Sequence, residues 1–112
     1  MQISNCAEWR KIFTKEYSAK NYVPERLRKH ISVRALVINN RPGQEFKQQG
    51  AEISRDTRFL PEGAKFKSTI LIYTGEISIM VSSRPYSAIL VQSHDIYEMV
   101  KSLFNIIWNV SK

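Results

Sequence analysis

Cys6 is the single cysteine of this 112-residue chain, and His30 and His94 are its only histidines. A thiol becomes a nucleophile only beside an activating group, and nothing in the sequence brings a histidine to Cys6. An inert, partly buried thiol is the expectation. One cysteine also excludes an intramolecular disulfide and a cysteine-based zinc cluster within one chain. Gly43, Gly50, Gly63 and Gly75 are too dispersed for a phosphate-cradling loop, and the acids are not clustered. With no nucleophile, base and orienter set in view, no catalytic residue, metal site or cofactor is expected.

The remaining chemistry is cationic. Net charge is +7, and the excess lies early in the chain. Residues 1–34 hold eight Lys or Arg against three acids, a net +5, whereas residues 68–112 balance three against three. Arg10, Lys11, Lys15, Lys20, Arg28 and Lys29, interleaved with Trp9, Tyr17 and Tyr22, could neutralise phosphates while aromatic rings stack on bases. The competing reading is a solvated, lysine-rich helix face.

The length suits one compact domain over residues 1–112, with 43% hydrophobic residues to fill one core. No apolar run approaches the roughly 18 to 20 residues that span a bilayer, and Met1 to Asn5 lacks the basic start and apolar stretch of a signal peptide. A cytoplasmic protein without membrane contact is the expectation, and no internal repeat or linker divides the chain.

Several elements follow from periodicity. Cys6, Trp9, Ile12, Phe13 and Tyr17 are spaced three and four apart, predicting an amphipathic helix over 6–17, capped by Ser4 or Asn5 with Glu8 in its first turn. Trp9 and Phe13 are expected in the core. Pro24 either kinks that helix or opens a second one. Ile31 to Ile38 predicts a strand whose continuous apolar finish implies burial on both faces. Asn39 to Gly43 is a dense turn signal, and 44–54 predicts a short surface helix or an ordered loop. Arg55 to Pro61 predicts a short edge strand. Residues 68–83 predict a hairpin on the turn Tyr73-Thr74-Gly75-Glu76, and Tyr86 to Gln92 predicts another strand. Ser93 to Asp95 can cap a final helix whose apolar face is wide enough to need two packed surfaces or a partner. Helix and strand segments in this order imply an α/β (α+β) class, roughly α-(α)-β-(α)-β-β-β-β-α, with helices packed on a mixed sheet.

The hairpin Ser68 to Ser83 resembles that of phospholipase D-like half-domains, whose active members carry His-x-Lys-x-x-x-x-Asp ahead of the turn glycine. Lys67, Thr69 and Thr74 occupy those positions here. They supply neither the imidazole nucleophile nor the carboxylate that phosphodiester transfer needs. Four places also resemble the C-terminal effector domain of TrmB-like transcriptional regulators, which has this fold without the catalytic motif. They are Arg26 to Arg34 leading into a strand that begins Val-Arg-Ala, Arg55-x-x-Arg-Phe-Leu-Pro61, Ile70-Leu-Ile-Tyr73 with Gly75 and Ile77-x-Ile-Met, and Leu103-Phe104 with Trp108. Together they run from about residue 9 to 110. Two departures accompany them: no segment ahead of Trp9 has room for the family's winged helix-turn-helix, and Met1 to Asn5 looks too short and polar for the strand that opens the family's effector domain.

The resemblance implies a non-catalytic ligand-sensing or dimerisation domain, acting on DNA through a helix-turn-helix module in the same or another chain. It would answer to a small-molecule effector of unspecified kind. Arg26, Arg34, Arg55 and Arg58 would then line an anion-accepting pocket or form structural ion pairs with acids such as Glu25 and Asp56, the structural role being favoured. Met99, Leu103, Phe104, Ile107 and Trp108 are expected as core or as the face of a homodimer. The alternative is a small basic nucleic-acid-binding protein.

Overall fold

A computed structural model describes residues 1–12, 28, 32–50, 53–82, 85 and 87–112. Its elements are β1 (Gln2–Ser4), α1 (Cys6–Ile12), β2 (Val33–Val37), α2 (Arg41–Gly50), β3 (Arg55–Phe59), β4 (Ser68–Tyr73), β5 (Glu76–Val81), β6 (Ser87–Gln92) and α3 (His94–Val110). The strands form one mixed sheet in the order β3-β2-β1-β4-β5-β6. β1, β2 and β3 run parallel, and β4, β5 and β6 continue antiparallel from β1.

The opening strand corrects the reading of Met1 to Asn5. β1 is three residues long yet central, paired with β2 on one side and β4 on the other. Its two polar residues are satisfied by each other, since Gln2 Nε2 donates to Ser4 Oγ at 3.1 Å. Ile3 packs against the core on the opposite face. A buried strand can carry polar side chains when their hydrogen bonds are made, and three residues are too few for alternation to show.

The two faces of the sheet follow from the period of two along β2. Val33, Ala35 and Val37 turn to one face, where Ala35 and Val37 join Cys6 of α1 in a buried cluster flanked by Phe46 of α2 and Phe59. Arg34 and Leu36 turn to the other, where Leu36 and Ile72 pack against Phe104 and Trp108 of α3. Ala35, Leu36 and Val37 are all fully buried, as a central strand covered on both faces requires.

Local chemistry explains the helix ends. The Asn5 side chain accepts from Ala7 N at 3.1 Å, and Asn40 Oδ1 accepts from Gly43 N at 2.8 Å. The turn signal at 39–43 is thus a helix start, with Pro42 in a first turn where its missing N–H costs nothing. At Gly43 a Cβ would clash with the Ile38 carbonyl oxygen, so the start of α2 lies closer to the end of β2 than a side chain there would allow. Ser93 caps α3 by accepting from Ile96 N, and Ser111 closes it, donating from Oγ to Ile107 O at 2.6 Å. In the hairpin, Thr74 and Gly75 have φ of 38° and 80°, the pair of positive values that a two-residue primed turn demands.

The predicted strands over 31–38, 55–61 and 86–92, the hairpin and the closing helix all appear, with boundaries shifted by a residue or two. Phe13, Tyr17 and the Pro24 break lie outside the described residues. Trp9 is buried as expected.

Candidate functional site

The three positions that would carry phosphodiester chemistry do not assemble a site. Lys67 is exposed just ahead of β4, Thr69 is buried on it, and Thr74 sits in the turn at its far end. Five residues of strand hold the two threonines about 16 Å apart. Besides Glu76, two residues on from Thr74, an acid of α1 comes near Lys67. Glu8 Oε2 accepts from Ser82 Oγ at 2.7 Å, and Lys11 Nζ stands 3.1 Å from Oε1 and 3.0 Å from Oε2. The Ser82 hydroxyl, then Lys11, hold the Glu8 carboxyl below its ordinary range, with burial opposing and Lys67 adding a weaker pull. A carboxylate made more acidic is a poor general base. The Glu8–Ser82 contact therefore reads as a bolt between α1 and the end of β5.

The four arginines are divided by the sheet. Arg34 and Arg58 share the α3 face. Arg34 donates from Nη2 to Asn105 Oδ1 at 3.0 Å, and its guanidinium carbon lies 5.2 Å from the Phe104 ring centroid and 5.5 Å from that of Trp108. Arg58 lies 4.4 Å from the Trp108 ring and donates from Nη1 to the Trp108 carbonyl at 2.8 Å. The two rings stack on each other at 5.8 Å. Two guanidiniums thus cover one indole, and one of them satisfies a carbonyl of the last helical turn, where a cation is favoured. Arg55 points to the other face, over the Phe46 ring and bonded to the Phe46 carbonyl. Arg26 lies outside the described residues.

Asp56 pairs in register with Arg34, but among the described residues no salt bridge joins it to Arg34 or Arg58. Among the described residues their partners are aromatic rings, the Trp108 carbonyl and the Asn105 amide oxygen, and Glu25, the other acid named for them, lies outside the described residues. A cleft of about 500 Å³ opens at the start of β2 and β3, lined by Arg34, Lys47, Arg55, Asp56 and Thr57 among others. Lys47 donates from Nζ to the Lys112 carbonyl at 2.9 Å. The Thr57 hydroxyl is buried there and has no hydrogen-bond partner among the described residues. Arg34, Lys47 and Arg55 make the lining of this cleft cationic, with Asp56 the one acid among its lining residues.

The face expected on the last helix divides in two. Phe104 and Trp108 are buried, Ile107 is half-buried, and Met99 and Leu103 are exposed. Exposed Ile96, Ile106 and Val110 belong with the latter pair, and periodicity alone could not separate the two groups. Of the basic residues considered for nucleic acid, Lys11 is engaged with Glu8 and Arg28 is exposed and helical. Arg10 falls on α1, and Lys15, Lys20 and Lys29 lie outside the described residues. Among the described residues no cluster of His, Cys, Asp or Glu could hold a metal ion, and no helix is long and apolar enough to cross a membrane.

This sheet order, with α1 and α2 on one face and α3 on the other, has a counterpart among solved structures. The fold is similar to that of TrmBL2. That protein is an archaeal chromatin protein whose structure shows a novel mode of DNA binding. The likeness has a TM-score of 0.59 at 14% sequence identity, and it covers 99% of this chain and 43% of the TrmBL2 chain. The mixed α+β architecture implied by the sequence resemblance is therefore the observed one. No protein-family model matches the sequence, and no curated protein does.

Proposed function

We infer that this chain is a non-catalytic regulatory domain of TrmB-like kind, acting on DNA through a helix-turn-helix module in the same protein or in a partner chain. The observation that carries this reading is the extent of the fold likeness: nearly all of this chain corresponds to less than half of a DNA-binding chromatin protein. The chemistry agrees with it. Lys67, Thr69 and Thr74 supply no imidazole nucleophile, and Glu8, the acid of α1 near Lys67, is held by Ser82 and Lys11. The cleft beside Arg34, Lys47 and Arg55 is the candidate place for an effector, and its excess of cations over acids favours an anionic one.

A second reading, direct nucleic-acid binding, is favoured by the net charge of +7 and its concentration in residues 1–34. One titration separates the two. Labelled duplex and single-stranded oligonucleotides are titrated with the chain at low and moderate salt. A domain that regulates through another module binds with Kd weaker than about 10 µM and little specificity. Joined to a helix-turn-helix module, it changes that module's DNA affinity by about five-fold or more. Tight binding by the isolated chain that weakens steeply with salt would replace the regulatory reading by the second.

A further inference from the structure

The two edges of the sheet are built differently. β3 ends it on one side with Arg55, Asp56 and Arg58 along a short strand, the charged side chains that keep an edge from pairing with other chains. β6 ends it on the other with Ser87-Ala-Ile-Leu-Val-Gln92, which has no charge, proline or glycine. Its register with β5 runs unbroken from Glu76 opposite Gln92 to Val81 opposite Ser87, so no bulge twists it away. Ile89 and Leu90 are 58% and 56% exposed.

Which backbone groups of β6 are open follows from the hairpin. Tyr73 and Glu76 flank its two-residue turn, so they form a hydrogen-bonded pair, and bonded and non-bonded pairs alternate from there. Glu76, Ser78 and Met80 therefore turn their N–H and C=O groups to β4, and Ile77, Ile79 and Val81 turn theirs to β6. Through the register, Ser87, Ile89 and Val91 are the residues bonded to β5. Ala88, Leu90 and Gln92 point their N–H and C=O groups outward, and among the described residues no backbone bond reaches them.

A row of donors and acceptors at two-residue spacing is matched by water or by another extended chain. The side chains favour the chain. Ile89, in register with Ile79 and through it with Ile70, belongs to the α3 face, and Leu90, in register with Ser78 and through it with Leu71, to the α1 face. An incoming strand therefore gains apolar contact on both faces. At the Gln92 end the nearest charged residues in register and in sequence are acids. Glu76 stands opposite Gln92 and accepts from its side-chain amide at 2.9 Å, and Asp95 lies in the first turn of α3.

We propose that the outer edge of β6 is a docking site for an extended segment of a partner protein, added as a further antiparallel strand, apolar at its centre and basic at its N-terminal end. Antiparallel addition continues the pattern of β4 to β6 and sets the segment's N-terminal end beside Gln92, where Glu76 and Asp95 favour a cation. β6 itself has no basic residue to offer there, so a second copy fits the edge less well. The site stands apart from the DNA-linked reading, which neither needs it nor falls with it.

The test uses the whole chain and the acetylated, amidated peptide Lys-Thr-Val-Ile-Val-Thr-Ser, read by backbone amide hydrogen exchange in NMR spectra. The peptide should bind with Kd of about 100 µM or tighter and, at about 1 mM, slow exchange at Ala88, Leu90 and Gln92 by at least fivefold. Ile89 and Val91, already bonded to β5, should not change. Leu90→Pro removes an outward N–H without touching a bond to β5, the placement that suits proline in an edge strand. It should keep the parent's circular dichroism and weaken the peptide at least tenfold. Leu90→Lys, altered only at an exposed side chain, should weaken it likewise, and exchanging the peptide's lysine for glutamate should cost about threefold or more at low salt. Four results each overturn the proposal: no binding at about 1 mM peptide, binding without protection of the three outward amides, binding indifferent to both Leu90 variants, or protection of those amides by raising the chain's own concentration, which would make a second copy the occupant.

Discussion

Replacing Arg58 by methionine removes a guanidinium while keeping an apolar stem of similar length. Two contacts go with it: the bond to the Trp108 carbonyl at 2.8 Å and the cation over the Trp108 ring at 4.4 Å. A hydrogen bond from a charged donor contributes about 1.5–3 kcal/mol, and a partly desolvated cation over an indole about 0.5–2 kcal/mol. Two effects reduce the loss. Ser111 N still donates to the same carbonyl at 3.2 Å, and the methionine stem still covers part of a ring that is 6% exposed. The net destabilisation should be about 2 kcal/mol. With an m-value of about 1.5 kcal/mol/M for a chain of this size, the urea midpoint falls by about 1.3 M. Ellipticity at fixed protein concentration is the proper readout, because self-association would make the midpoint concentration-dependent. Arg58→Lys should lose about half as much, since an ammonium keeps the charge but not the planar reach. A midpoint for Arg58→Met within about 0.3 M of the parent would refute the structural role and release Arg58 for a ligand.

Two further outcomes follow from the fold. Glu8 is held more acidic in the folded chain than its ordinary value of 4.5. Its contribution is therefore complete above that value and is lost as pH falls through the lower folded one. The stability gap between parent and Glu8→Gln should be about 1–3 kcal/mol at pH 7 and should close in acid; a gap constant down to pH 3 would sink the assignment. Gly43→Ala should cost about 1–3 kcal/mol by forced repacking, because the new methyl clashes with the Ile38 carbonyl oxygen, despite alanine's helix preference of about 1 kcal/mol. An unchanged or higher melting temperature for this variant would show that α2 can retreat from the sheet without penalty.

Most elements were legible because their signals are local. The hairpin announces itself by β-branched runs around Thr74-Gly75, the last helix by Ser93 and its spacing, and β2 by an unbroken Ala-Leu-Val finish. β1 was not legible: it is a strand only because β2 and β4 lie on either side, and two of its three residues are polar. Residues 41–43 read as a turn because Pro and Gly break helices in the interior, whereas here they form a first turn capped by Asn40. The arginines show the same limit. Arg55 and Arg58 stand three apart on one strand, so alternation sends them to opposite faces, and only packing decides that each finds an aromatic ring.

Residue types and counts by themselves determined what charge this chain carries and how few cysteines and histidines it has: an excess of seven positive charges, one cysteine and two histidines far apart in sequence. They also determined that α3 is apolar around more of its circumference than one sheet can cover. Which residues of that surface lie inside was a tertiary decision. Helical spacing is the same for Phe104 on the sheet and Leu103 in solvent, and only the direction from which Leu36 and Ile72 approach the helix distinguishes a core from an exposed face.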